Sequence, residues 1–94
     1  MRTDVSRLED VEALAAATLD RFGRVDLVVN NAGVIAWNPV DRLQIDEWRW
    51  VIGVNLWGVV HGVHVFLPIF QRQGTPSHVV NVSSVGGVLA DTPF

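Results

Sequence analysis

The residues of this chain best suited to chemistry stand in three places. At Asn30-Asn31-Ala32-Gly33 a β-branched run gives way abruptly to two amides, an alanine and a glycine, which cannot fill a core but let a ligand approach the backbone. A tight turn after a buried strand would use the same residues. Asn55 interrupts an apolar stretch, and a buried amide costs free energy unless it is hydrogen-bonded. It either bonds a neighbouring backbone or stands as a fixed polar group under an active site. Ser83-Ser84 close a second apolar run with small hydroxyl side chains. Elsewhere Asp4 reads as a solvated loop carboxylate. His61 and His64 lie on one helical face without a third ligand, so they read as surface or interface histidines and not as a metal site.

The elements that must position these groups follow from periodicity. Val25, Leu27, Val28 and Val29 are too continuously apolar for a strand with one face in water, which predicts a strand covered on both sides in a parallel sheet. Such sheets bind ligands beyond the carboxyl ends of their strands, where Asn31, Ala32 and Gly33 lie. Before it, Leu8, Val11, Leu14, Ala15, Leu19 and Phe22 recur at helical spacing and Gly23 offers a stop. Ser6-Arg7-Leu8-Glu9 has the spacing of a capping box at the start of that helix. Pro39 begins a short helical turn through Val40 and Asp41, preceded by Trp37, which either lines a pocket or is tucked against the domain. A long helix is expected over 46–71, apolar almost all round, and therefore needing two partners: a sheet, and most simply another subunit, the alternative being further parts of the same chain. His78 to Ser84 reads as a second strand. Strand, crossover helix and strand make a parallel unit that brings Asn31 to Gly33 and Ser83-Ser84 to one edge.

Composition narrows the classes. The 94 residues are 49% hydrophobic and 18% charged, apolar enough for so short a chain that some surface is expected to meet other structure. With a net charge of −3 and scattered basic residues there is no stripe to neutralise a phosphate backbone, so no nucleic-acid partner is expected. The absence of cysteine excludes disulfides and thiolate metal sites and makes a cytoplasmic location the default. No membrane span is expected, because the most apolar stretch is interrupted by Asn55, His61, His64 and Pro68. Every basic residue is arginine and there is no tyrosine, so a mechanism needing lysine or tyrosine must borrow it.

Asn31-Ala32-Gly33, Asn55 and Ser84, in this order and on these elements, resemble the middle of a short-chain dehydrogenase/reductase. The resemblance covers essentially the whole chain and implies an α/β fold: a partial Rossmann-like, doubly wound parallel sheet, with about two strands and two main helices in residues 1–94. It implies NAD or NADP as cofactor, with Asp4 and Val5 at the adenine and Asn31, Ala32 and Gly33 shaping the adenosine side of the groove. It further implies that Ser84 hydrogen-bonds the reacting oxygen of a small alcohol or carbonyl substrate, and that Asn55 holds a water in the proton relay. The long helix resembles the family's dimerisation helix, which implies a homo-oligomer. The family's tyrosine lies about thirteen positions beyond its serine, with a lysine one helical turn further on. Both would fall past Phe94, and the glycine-rich phosphate loop would precede Met1. The expectation is thus a fragment truncated at both ends, inactive alone. A non-catalytic α/β module for binding or subunit association is the alternative.

Overall fold

The computed structural model describes residues 1–82. Ser84, its neighbour Ser83 and the loop that follows lie outside the described residues. The order is helix α1 (Leu8–Phe22), strand β1 (Leu27–Asn30), a 3-10 turn at Val40–Arg42, helix α2 (Ile45–Ile52), a π-helical segment at Gly53–Trp57, helix α3 (Gly58–Gln73) and strand β2 (His78–Asn81). The two strands pair in parallel, Leu27 opposite His78 through Asn30 opposite Asn81.

Helix α1 ends as its sequence predicts: Gly23 sits at φ 77°, where only glycine is unstrained, and its N–H donates to the Leu19 carbonyl at 2.8 Å. Its start differs. The capping box does not form; Arg7 occupies the cap position and its side chain makes no capping hydrogen bond. The reason is a stronger local acceptor. The ionised Asp4 carboxylate takes both the Ser6 hydroxyl (2.6 Å) and the Ser6 N–H (3.0 Å), while Glu9 is drawn to the Arg7 guanidinium at 2.8 Å.

The core is formed by Val11 and Ala15 of α1, Val25, and Phe66, Ile69 and Phe70 of α3, with Val28 and Val79 packed against it from the sheet. Both helices therefore cover one face. On the other, Leu27, Val29 and Val80 are 56%, 49% and 44% exposed. The expected cover on both sides is present on one only among the described residues, because Val28 and its register partner Val79 turn inward and their strand neighbours alternate outward. An apolar outer face of this kind is what a doubly wound sheet offers to its second helical layer.

The long helix is continuous from Ile45 to Gln73, slightly longer than expected, but it contains the π segment that apolar periodicity did not reveal. By length and composition alone it could cross a membrane. In this fold its Gly58, Gly62, Phe66 and Phe70 are buried, α1 and β1 lie against α3, and Trp48, Ile52, Leu56, Trp57 and Leu67 are left exposed.

Candidate functional site

Three segments meet at the carboxyl edge of the sheet: the loop through Thr3, Asp4 and Val5, the end of β1 through Val34, and the helix around Asn55. Two small residues on one helix face allow the approach. A Cβ placed on Gly58 would stand 2.7 Å from Val5 Cγ2, and one on Gly62 would collide with the Asn30 side chain. The helix can lie this close only because these positions lack side chains.

Asn55 makes a two-point hydrogen bond. The Val34 N–H donates to its Oδ1 and its Nδ2 donates to the Val34 carbonyl, both at 2.8 Å. The amide thereby acts as a strand partner for the chain after it leaves the sheet. Asn55 is exposed, not buried as its apolar context suggested, because it sits in the π segment at the rim of the edge. Of its two sequence readings, the bond to a neighbouring backbone is the one observed. At the other end of the same helix Gln73 does the same for Val25, accepting from its N–H at 2.8 Å and donating to its carbonyl at 2.6 Å.

His61 separates from His64 in role. Its Nδ1 lies 2.8 Å from the Val5 carbonyl oxygen, so the proton of that bond resides on Nδ1. His64 is exposed, and no cluster of metal-ligating side chains occurs among the described residues. Asp4, expected as a plain solvated carboxylate, is the organiser of its loop. The Ser6 hydroxyl, then the Ser6 N–H, hold its pKa below the ordinary aspartate value. Both bonds fall on Oδ1, which leaves Oδ2 without a partner among the described residues. Thr3 Oγ1, next to it, is buried and likewise unpartnered there.

Two larger cavities open at this edge, beside a small one of about 60 Å³ bordered by Val5, Asn31 and Gly58. One of about 610 Å³ lies between Arg2 to Val5 and Asp10 on one side and Ala32, Gly33 and Val34 on the other, with Trp50 and Val54 of the long helix also lining it. A second, of about 320 Å³, is bounded by Asn30 to Gly33, Asn55, Val59 and Val82. Ala32 and Gly33 form the wall between the two. The structure thus brings Asp4, Val5, Asn31, Ala32, Gly33 and Asn55 to one edge. Sequence reasoning missed Gly58, Gly62, His61 and Trp50 there. The Gly58-x-x-x-Gly62 spacing in an apolar helix was the available signal for the first two.

Comparison with known proteins gives a consistent family. The family described as short chain dehydrogenase matches residues 1–92. A 3beta-hydroxysteroid dehydrogenase of Eggerthella lenta is 42% identical over 89 residues, covering 95% of this chain and 34% of that protein. An uncharacterized oxidoreductase of Staphylococcus saprophyticus is 36% identical over 86 residues, 92% of this chain and 35% of its own length. Among solved structures, a short chain dehydrogenase/reductase from Burkholderia phymatum in complex with NAD superposes with a TM-score of 0.94 at 47% identity, covering 99% of this chain and 33% of that one. Levodione reductase gives 0.87 at 40% identity, over 97% of this chain and 35% of that one. The chain spans about a third of the length of these proteins.

Proposed function

Because the chain belongs to the short-chain dehydrogenase family, we propose that it is the central part of an NAD(P)-dependent oxidoreductase that interconverts a small alcohol and a carbonyl compound. The observation that carries this is the shared wall. Ala32 and Gly33 separate a groove bordered by Asp4 and Val5 from a cavity bordered by Asn55, all at the strand ends where such sheets bind ligands.

The groove suits the adenosine half of a dinucleotide. Asp4 Oδ2 is an ionised acceptor with no internal partner among the described residues, matched to an adenine amino group, and Thr3 Oγ1 is a second unspent polar atom at the same place. Ala32 and Gly33 present little more than backbone, so the ribose can lie against them. When bound, the nicotinamide supplies or accepts the hydride. Ser84 holds the reacting oxygen by its hydroxyl, and Asn55 fixes the Val34 backbone and a water of the proton relay beside the second cavity. The 94 residues contain neither tyrosine nor lysine, so this polypeptide by itself lacks the family's proton donor. In our reading the complete enzyme is a cytoplasmic homo-oligomer joined through the exposed apolar side of the long helix.

The test is to express the complete open reading frame that contains these residues and assay it against secondary alcohols and ketones with NAD and NADP, following reduced nicotinamide by absorbance. Turnover that Ser84→Ala abolishes is expected. A folded, full-length product with no turnover on any of them, yet a stable oligomer, would favour the subunit-association role instead.

A further inference from the structure

One large side chain at the groove is assigned no role by the motifs. Trp50 lies one helical turn before Val54, on the same side of the helix, and the two close the groove opposite Thr3 to Val5 and Ala32 to Val34. Its neighbours Trp48 and Trp57 border a different, apolar groove with Ile45 and Ile52, so the tryptophans of this helix are divided between two sides. Trp50 is 51% exposed, and what it covers is not the core. Among the described residues that line the groove, Trp50 carries the one aromatic ring, and the guanidinium of Arg2 is the other planar group there.

Resting on the reading of this groove as the adenosine site, we propose that Trp50 forms the aromatic wall against which the nucleobase lies, and so is a specificity-determining residue for the cofactor's adenine end. A base packed on an indole gains contact area without a hydrogen-bond requirement, while Asp4 Oδ2 supplies the polar recognition from the opposite lip. Trp50 ranks ring systems by stacking area, purine above pyrimidine, and Asp4 ranks them by the amino group.

The experiment uses the complete protein that contains these residues, labelled with fluorotryptophan, with the signals of Trp37, Trp48, Trp50 and Trp57 assigned by single Trp→Phe variants. Adenosine monophosphate and, separately, nicotinamide mononucleotide and cytidine monophosphate are titrated in, with backbone amide shifts followed in parallel. The expected result is a saturable shift of the Trp50 signal with adenosine monophosphate, a smaller effect of the other two, and no movement of Trp57. Trp50→Ala should weaken adenosine monophosphate binding about tenfold, whereas Trp50→Phe, which keeps a ring, should lose about threefold or less. Thermal melts of both variants establish that each is folded. If the amides of Asp4, Ala32 and Gly33 move but Trp50 does not, and Trp50→Ala binds unchanged, the inference about Trp50 fails while the groove assignment stands. If none of these amides moves, the groove assignment fails and Trp50 with it. A larger response to nicotinamide mononucleotide overturns the proposal by placing the other end of the cofactor there.

Discussion

Gly58→Ala puts the packing of the site to a quantitative test. In an ordinary helix interior this change is favourable by up to about 1 kcal/mol, since alanine has the higher helix propensity. Here the added methyl would stand 2.7 Å from Val5 Cγ2 and 3.2 Å from Val5 Cβ. Carbon atoms pack best at roughly 3.5–4.0 Å, so one side must retreat by about 1 Å. The helix cannot move cheaply, because Asn55 and Gln73 tie its flanking turns to the backbone around β1. Val5 is β-branched, with little rotamer freedom, and its carbonyl is held by His61. Overpacking of this kind costs about 1–3 kcal/mol, against the propensity gain, so a net loss of about 1–2 kcal/mol is expected. Urea denaturation of the wild type, Gly58→Ala, Val5→Ala and the double variant forms a complete cycle. Val5→Ala removes the 2.7 Å contact, so Gly58→Ala in that background should be close to neutral and the coupling about 1–2 kcal/mol. A Gly58→Ala variant as stable as wild type, with additive behaviour in the cycle, would refute the close approach and with it the placement of the Asp4-Val5 loop over the groove.

The remaining predictions concern the polar ties. Gln73→Ala strips two partners from the buried Val25 backbone and should cost roughly 2–3 kcal/mol in denaturation, whereas Asn55→Ala, at an exposed clamp, should cost about 1 kcal/mol and be read instead as faster amide exchange at Val34. Asp4 titrates below its ordinary value in the folded chain, so its contribution to stability is complete above the unfolded-state pKa and is lost as pH falls through the lower folded one. Ser6→Ala, by removing the shortest of its bonds, should move the Asp4 titration seen by carboxylate NMR upward and flatten that acid limb.

What could be read from the sequence was what depends on local pattern. Gly23 marked the end of α1 because a left-handed residue is needed there, and the run from Val25 to Val29 followed by small residues marked a strand and the edge beyond it. The parallel pairing followed from a crossover helix between two such runs. What could not be read depended on partners distant in sequence or on competition between neighbours. The capping box at Ser6 had the right spacing, yet a carboxylate at Asp4 was the better acceptor. His61 looked like a surface histidine because nothing local says that the Val5 carbonyl, far back in the chain, passes above it. Asn55 was marked as a polar group that something must satisfy, and it is satisfied, but the residue it pairs with and its exposed setting come from the π segment. Ser84, one of the residues that carry the resemblance together, lies outside the described residues.

The two amide clamps explain how a single helix can fix the site at one end of the sheet. Nine residue steps separate Val25 from Val34 and eighteen separate Asn55 from Gln73. An extended chain covers about 30 Å in nine steps and an α-helix about 27 Å in eighteen, so the two spans nearly match. Because the helix runs back along the strand it came from, Asn55 meets Val34, four residues past the end of β1, and Gln73 meets Val25, two residues before its start. Both bonds can be made only if the helix keeps one rotation and one register over its whole length. A one-residue slip turns the helix by about 100° and carries at least one amide off its target. With rotation fixed, Gly58 and Gly62 must face Val5 and Asn30, Trp50 and Val54 must face the groove, and Trp48 and Trp57 must face the other side of the helix. The position of the groove is therefore set by hydrogen bonds at either end of a span, and the residues that border it inherit their places from that register.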